Sequence, residues 1–323
     1  REVQVPTCHS RVWQEEGVHY TEKHSPTQAT AAIRMLLTTA AAKDGGLRHF
    51  GANWAILKVD SDDDIYIEIP EEYQEFPGGV GRLNKSIYGP VQAKRCWNSK
   101  FCGDMTPIGF EQAKADACVF LKVVDGEAEM VVLVHMDDIL AHAKDQTTMD
   151  RFAAELEQKF KLKDMGDARY YIGCNITRNR KACELKTDQY LYVESMVETF
   201  EVKKSRNILA TSGVPTISKA DEPRNLQEKE EIKKFPYREV VGALIWKATM
   251  TRREIASAIR AVARFCENPG SAHKKAVMKI IQYFLRTKDC KTKYGGQDCE
   301  LCMEAYTDSD FGACLDTRQL VSG

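Results

Sequence analysis

The chain has 323 residues, 43% of them hydrophobic and 29% charged, with a formal net charge of −1; this is an ordinary globular balance, and the length exceeds what one small core accommodates. The strongest apolar stretch, near Met130–Val134, is far too short for a membrane span, and no charged-then-apolar leader precedes it, so neither a membrane location nor secretion is expected. The near-zero charge weighs mildly against a nucleic-acid partner, because phosphate neutralisation supplies most of such affinity.

In chain order, Thr27–Ala42 carries Ile33, Leu36, Leu37 and Ala40 at helical spacing. Ile65–Ile69 alternates as a strand stopped by Pro70, and Val91–Cys102 predicts a basic, aromatic helix. Val119–Val124 and Glu129–Val134 predict strands, followed by a tight polar turn and a third strand, Ile139–Ala143. Met149–Phe160 and Tyr190–Phe200 predict amphipathic helices. Thr211–Lys233, polar and carrying Pro215 and Pro223, is the linker candidate. Beyond it come helices over Tyr237–Phe265, interrupted near Thr251, and Ala272–Thr287, then a strand over Cys302–Thr307. This mixture predicts an α+β protein with a helical C-terminal portion. The start at Arg1 and the end at Ser322-Gly323 suggest a piece of something longer.

Eleven cysteines are scattered along the chain, an odd count that suggests free thiols in a reducing compartment. Cys299 and Cys302 form a C-x-x-C pair with Cys290 and Cys314 nearby, but the spacing matches no zinc ribbon and buried structural cysteines are expected. Lys274, Lys275, Lys279, Arg286, Lys288, Lys291 and Lys293 crowd one stretch with only Asp289 opposing them. A solvated helix face and a phosphate track both fit that pattern.

The sharpest feature is Val131-Val132-Leu133-Val134-His135-Met136-Asp137-Asp138-Ile139-Leu140, two apolar strands flanking adjacent aspartates. Neighbouring carboxylates beside buried strands are costly unless a cation binds them, and magnesium prefers such hard oxygen ligands. A plain hairpin turn also favours aspartate, through local hydrogen bonds.

The turn resembles the Tyr-x-Asp-Asp signature of reverse transcriptases, with His135 in the tyrosine place. Upstream, Arg82-Leu83-Asn84-Lys85-Ser86-Ile87-Tyr88-Gly89-Pro90-Val91-Gln92-Ala93-Lys94-Arg95-Cys96-Trp97 is similar to the copia-type retrotransposon pattern R-L-x-K-S-L-Y-G-L-K-Q-A-P-R-x-W. Downstream, Phe160–Gly166 and Tyr170–Gly173 resemble F-x-M-K-D-L-G and Y-F-L-G-I, and later Tyr237–Leu244 and Thr251–Ile255 resemble Y-R-x-x-V-G-x-L and T-R-P-D-I.

The resemblance implies a right-handed fingers, palm and thumb fold with a ribonuclease H domain beyond. It divides the chain into residues 1–215 (fingers, palm and thumb region), 216–300 (thumb and connection helices) and 301–323 (the truncated start of ribonuclease H). It implies in-line nucleotidyl transfer with Mg2+ or Mn2+ held by Asp137 and Asp138. Gln92 and Lys94 would lie near nucleotide and template, Lys274, Lys275 and Lys279 would follow the nucleic-acid backbone, and Asp308 would be the first ribonuclease H ligand. The implied partners are an RNA template, a DNA primer or RNA–DNA hybrid, dNTPs, and the rest of a polyprotein with integrase and ribonuclease H. The implied location is intracellular, in a cytoplasmic particle or the nucleus.

This copy departs from the pattern. Counting back from Ile65-Tyr66, the family's first catalytic aspartate falls on Gly51, and the aromatic that gates against ribonucleotides falls on Ile56. Asp60, Asp62, Asp63 and Asp64 match an acidic stretch of the family and suggest a solvated turn. The family's Leu-Lys becomes Pro90-Val91, its proline becomes Lys94, and the basic pair of the fingers falls on Gln4 and Pro6. The expectation is therefore a reverse transcriptase that no longer polymerises, with a non-catalytic nucleic-acid-binding remnant as the alternative.

Overall fold

The computed structural model describes residues 14–17, 20, 22–51, 56–60, 65–69, 71–74, 78–160, 162–202, 216–296, 304–307, 309–310, 316–317 and 321–322. They belong to two compact units, Arg1–Tyr171 and Ile172–Gly323.

The first unit is built on helices α1 (Thr30–Ala42), α2 (Ala93–Met105) and α3 (Gln146–Phe160) and strands β1 (Gly46–Gly51), β2 (Tyr66–Glu68), β3 (Val80–Arg82), β4 (Glu111–Gln112), β5 (Val119–Val124), β6 (Glu127–His135), β7 (Asp138–Ala143), β8 (Lys163–Asp167) and β9 (Tyr170–Tyr171). Six strands pair antiparallel in the order β4-β5-β6-β7-β1-β8, and β2 pairs with β3. The alternation of side chains along a strand then sorts the residues. Phe50, Val132, Val134, Ile139, Ala141 and Ala143 share a core with Trp97 and Phe101 of α2 and Phe152, Leu156 and Phe160 of α3. His49, Gly51, Asp138 and Leu140 fall on the opposite face of the sheet by the same alternation. Complete burial of a side chain such as Phe101 stabilises by about 1.5–3 kcal/mol, and three rings, Trp97, Phe101 and Phe160, pack within 5.1–5.7 Å of one another.

The second unit carries strands β10 (Cys174–Asn179), β11 (Glu184–Asp188) and β12 (Thr292–Gly295), adjacent in the order β12-β11-β10. Its helices are α4 (Tyr190–Thr199), α5 (Leu226–Lys233), α6 (Tyr237–Met250), α7 (Ala256–Ala263) and α8 (Ser271–Arg286). Val193 and Met196 of α4 share a core with Val240 and Leu244 of α6 and Ile280 and Phe284 of α8. The compact units divide between Tyr171 and Ile172. The apolar stripe of α4 is completed by helices that lie later in the chain.

The chain is mixed α+β, as its periodicities predict. The interruption near Thr251 falls where expected, as a short turn of 3-10 helix at Arg253–Ile255 between α6 and α7. The linker expected over Thr211–Lys233 instead contains α5, because the Asn225 side chain accepts from Glu228 N at 2.8 Å while the Glu228 carboxylate accepts from Arg224 N at 2.9 Å. That reciprocal cap closes a helix start that polar composition had disguised. Glu304–Thr307 forms no strand, and Cys302 lies outside the described residues.

Candidate active site

The aspartates sit at the tip of the β6–β7 hairpin. His135 and Asp138 are the last register partners, so Met136 and Asp137 form a two-residue loop. Met136 has φ 53°, in the left-handed region that glycine favours, and Asp137 does not share it. A positive φ at the first central position alone is the mark of a type II′ turn, whose twist suits the paired strands. The indole of Trp97 donates to Met136 O at 2.9 Å and ties this strained turn to α2.

Each aspartate meets a donor from a different segment. Tyr88 Oη donates to Asp137 Oδ2 at 2.7 Å, and His49 Nε2 lies 3.0 Å from Asp138 Oδ1. Asp137 Oδ1 is shielded from solvent and has no hydrogen-bond partner. Burial pushes the Asp137 carboxyl above the usual carboxylate range, the Tyr88 bond pulls it back, and neighbouring Asp138 adds to the rise. Burial raises the Tyr88 phenol, with Asp137 acting in the same direction. His135 is lowered by burial, against an opposing pull from Asp138.

Gly51 is the direct register partner of Asp138 across the β1–β7 ladder. A Cβ built on Gly51 meets nothing within 4 Å. Ile56 and Lys94 line one small cleft together with Trp97 and Met136, so two of the residues expected near nucleotide and template come together with the hairpin tip. Gln92 does not line that cleft; it is buried at the start of α2, where it accepts a hydrogen bond from Gln14 Nε2 at 3.0 Å.

The orphaned Asp137 Oδ1 is the atom a divalent cation would satisfy. A buried acceptor without a partner costs about 1–3 kcal/mol, and a cation would offset it. Magnesium commonly takes one or two protein carboxylates and keeps waters and substrate phosphates in its other positions. Asp137 and Asp138 fit that role. Among the described residues, however, no group of three His, Cys, Asp or Glu side chains is arranged to hold a metal, and Gly51 supplies no ligand atom.

The basic stretch is less bare than its sequence suggests. Lys288 pairs with Glu194 at 3.0 Å, Lys291 with Asp188 at 2.9 Å, and Lys293 with Glu184. These acids lie on β11 and α4, so the segment's positive charge is opposed by more than Asp289. Lys275 is exposed on α8, Lys279 is half-buried, and the Lys274 ammonium lies 4.7 Å from the centroid of the Phe235 ring. Cys290 is an exposed free thiol. Asp308, Asp62, Asp63, Asp64, Gln4, Pro6, Cys299 and Cys314 lie outside the described residues. No helix among the described residues is long and apolar enough to cross a membrane.

Sequence reasoning missed Tyr88 and His49. Tyr88 stood inside the quoted motif without a role, and His49 could have been found from strand alternation, which puts it on the same face as Gly51.

The model of the family described as reverse transcriptase (RNA-dependent DNA polymerase) matches residues 8–216. The chain is 33% identical over 314 residues to the retrovirus-related Pol polyprotein from transposon TNT 1-94 of Nicotiana tabacum, covering 96% of this chain and 23% of that protein. It is 26% identical to the retrovirus-related Pol polyprotein from transposon RE1 of Arabidopsis thaliana, covering 96% of this chain and 21% of that protein. A putative transposon Ty5-1 protein of Saccharomyces cerevisiae is 24% identical over 83% of this chain and 85% of its own length. The chain thus spans less than a quarter of the two Pol polyproteins.

Proposed function

The chain belongs to the reverse transcriptase (RNA-dependent DNA polymerase) family of copia-type retrotransposons, and on that premise we propose that it is a polymerase region of a Pol polyprotein whose nucleotidyl transfer is disabled in this copy. In this reading the β6–β7 hairpin belongs to the palm, the helices of the second unit serve as thumb and connection, and residues 301–323 begin a ribonuclease H domain with Asp308 as its first ligand. The partners are an RNA template, a DNA primer, dNTPs and the rest of the polyprotein, including integrase and ribonuclease H.

Asp137 and Asp138 would hold Mg2+ or Mn2+ beside the primer end. When bound, the metal ions supply Lewis-acid activation of the primer hydroxyl and charge neutralisation at the triphosphate. The chain's own residues orient the carboxylates, while Ile56, Lys94 and Met136 border the cleft beside the tip. One observation carries the impairment: the direct partner of Asp138 on the neighbouring strand is a glycine, so the carboxylate expected from that strand is missing.

Primer extension tests this reading. The chain as it stands should extend nothing, Gly51→Asp is necessary for any extension while Ile56 and Lys94 remain further departures, and adding Asp137→Ala should abolish whatever extension Gly51→Asp recovers. Robust synthesis by the unaltered chain, lost on Asp137→Ala, would overturn the assignment of Gly51. A second reading, a nucleic-acid-binding remnant without chemistry, draws on Lys275 and Lys279 on α8. Salt-sensitive binding of a primer-template duplex by the chain as it stands supports it.

A further inference from the structure

We propose that Tyr88 and His49 are positioning residues that each occupy one oxygen of an aspartate at the hairpin tip and aim the other at a divalent cation. The proposal rests on the reading of Asp137 and Asp138 as metal ligands and adds the two side chains that orient them.

The geometry is matched on the two sides. Tyr88 Oη takes Asp137 Oδ2 at 2.7 Å and leaves Oδ1 without a partner. His49 Nε2 takes Asp138 Oδ1 at 3.0 Å, and the Asp138 side chain is 47% exposed, which leaves it reachable from solvent. An ionised carboxylate only accepts, so Nε2 carries the proton in this contact. Both donors come from outside the hairpin: Tyr88 from the segment before α2, and His49 from β1, one strand over.

His49 is itself held. Its ring meets the edge of Tyr171 at 5.8 Å and 83°, and the Tyr171 hydroxyl donates to Gln28 Oε1 at 2.7 Å. Its side chain is only 13% exposed. A chain of contacts from Gln28 through Tyr171 and His49 therefore ends on Asp138. Such an arrangement exceeds what a turn needs for its own stability, because the Met136 carbonyl is already tied to Trp97. Carboxylates that bind metals are regularly held by a hydrogen bond to the oxygen they do not use, and losing that bond weakens metal affinity about 10–100-fold.

The experiment is Mn2+ binding by the full chain, followed by loss of the free-ion electron paramagnetic resonance signal. It is run in parallel on the chain as it stands and on Gly51→Asp, and each variant's melting temperature is recorded without metal. Tyr88→Phe and His49→Leu should each weaken Mn2+ binding about tenfold, with a metal-free melting loss no larger than one lost hydrogen bond accounts for. His49→Gln, which retains a donor, should recover most of the affinity, and Asp137→Asn should abolish binding. If Asp137→Asn abolishes binding while Tyr88→Phe and His49→Leu bind like their parent, the metal reading stands and the positioning roles fall. If Asp137→Asn binds like its parent, or neither background binds Mn2+, the hairpin is not a cation site and both fall.

Discussion

Gly51 and Asp138 face each other as direct partners across an antiparallel ladder, and the space where a side chain at residue 51 would start is open. A Cβ can therefore be added there without displacing a neighbouring atom. The cost of an aspartate is repulsion from Asp138, about 0.2–1 kcal/mol for like charges directly opposite on one face. Gly51→Asp is expected to fold, to lose no more than about 1 kcal/mol in metal-free buffer, and to gain more melting temperature from millimolar Mn2+ than the parent does. Calorimetry with and without Mn2+ at constant ionic strength checks this. A variant that fails to fold contradicts the open site, and one that gains nothing from Mn2+ contradicts the missing-ligand assignment.

The Trp97–Met136 bond should be measurable as stability. Trp97→Phe keeps much of the ring packing and removes the donor that holds a carbonyl next to a left-handed residue. The expected loss is about 1–2 kcal/mol, read from urea unfolding. Met136→Gly relieves the strain at φ 53° and should offset part of that loss when the two are combined. Strict additivity in the double variant would mean that the indole does not support the turn.

Lys247 gives a pH dependence of defined sign. Its side chain is fully buried on α6, its ammonium has no hydrogen-bond partner, and it lies 5.9 Å from the centre of the Phe284 ring. Burial, aided by nearby Arg252, pulls its pKa down to about 8 from the ordinary 10.5. Between those values the unfolded chain holds more protons than the folded one, so stability rises with pH through that window. Below about 8 the penalty is fully present, on the order of 3 kcal/mol. Lys247→Met should therefore stabilise the protein by that order at pH 7, with an advantage that shrinks above pH 8 and is nearly gone by 10.5. An advantage that does not change from pH 7 to 10.5 would show that its source is not the buried charge.

The lysines of the basic stretch should separate into two groups. Reversal to glutamate at Lys274, Lys275 and Lys279 is expected to weaken duplex binding for all sequences alike and to flatten its salt dependence. Lys291→Ala and Lys293→Ala should change binding less than twofold, because those ammonium groups already pair with Asp188 and Glu184. Filter binding between 50 and 200 mM salt checks both. Equal losses in the two groups would mean that the ion pairs open to admit phosphate.

Local sequence was enough for several features. The alternation around Val131–Leu140 placed the hairpin within two residues of its observed strands, and adjacent aspartates marked its tip. The helical spacing of Ile33, Leu36, Leu37 and Ala40 placed α1, and counting along a motif put residue 51 opposite the hairpin. Backbone periodicity carries all of this, because it shows which residues share a face of one element.

Only the tertiary structure decided which donor meets which acceptor. His49 reaches Asp138 across 89 residues and Tyr88 reaches Asp137 across 49. Lys288 finds Glu194 across 94 residues, an acid that the local stretch around Asp289 does not contain. The buried stripe of α4 is completed by α6 and α8, far along the chain. Pairings of that kind depend on strand order and register between distant segments, and no local period records them. Motif resemblance therefore pointed to the family, while the partners of the two carboxylates and the burial of Lys247 had to come from the fold.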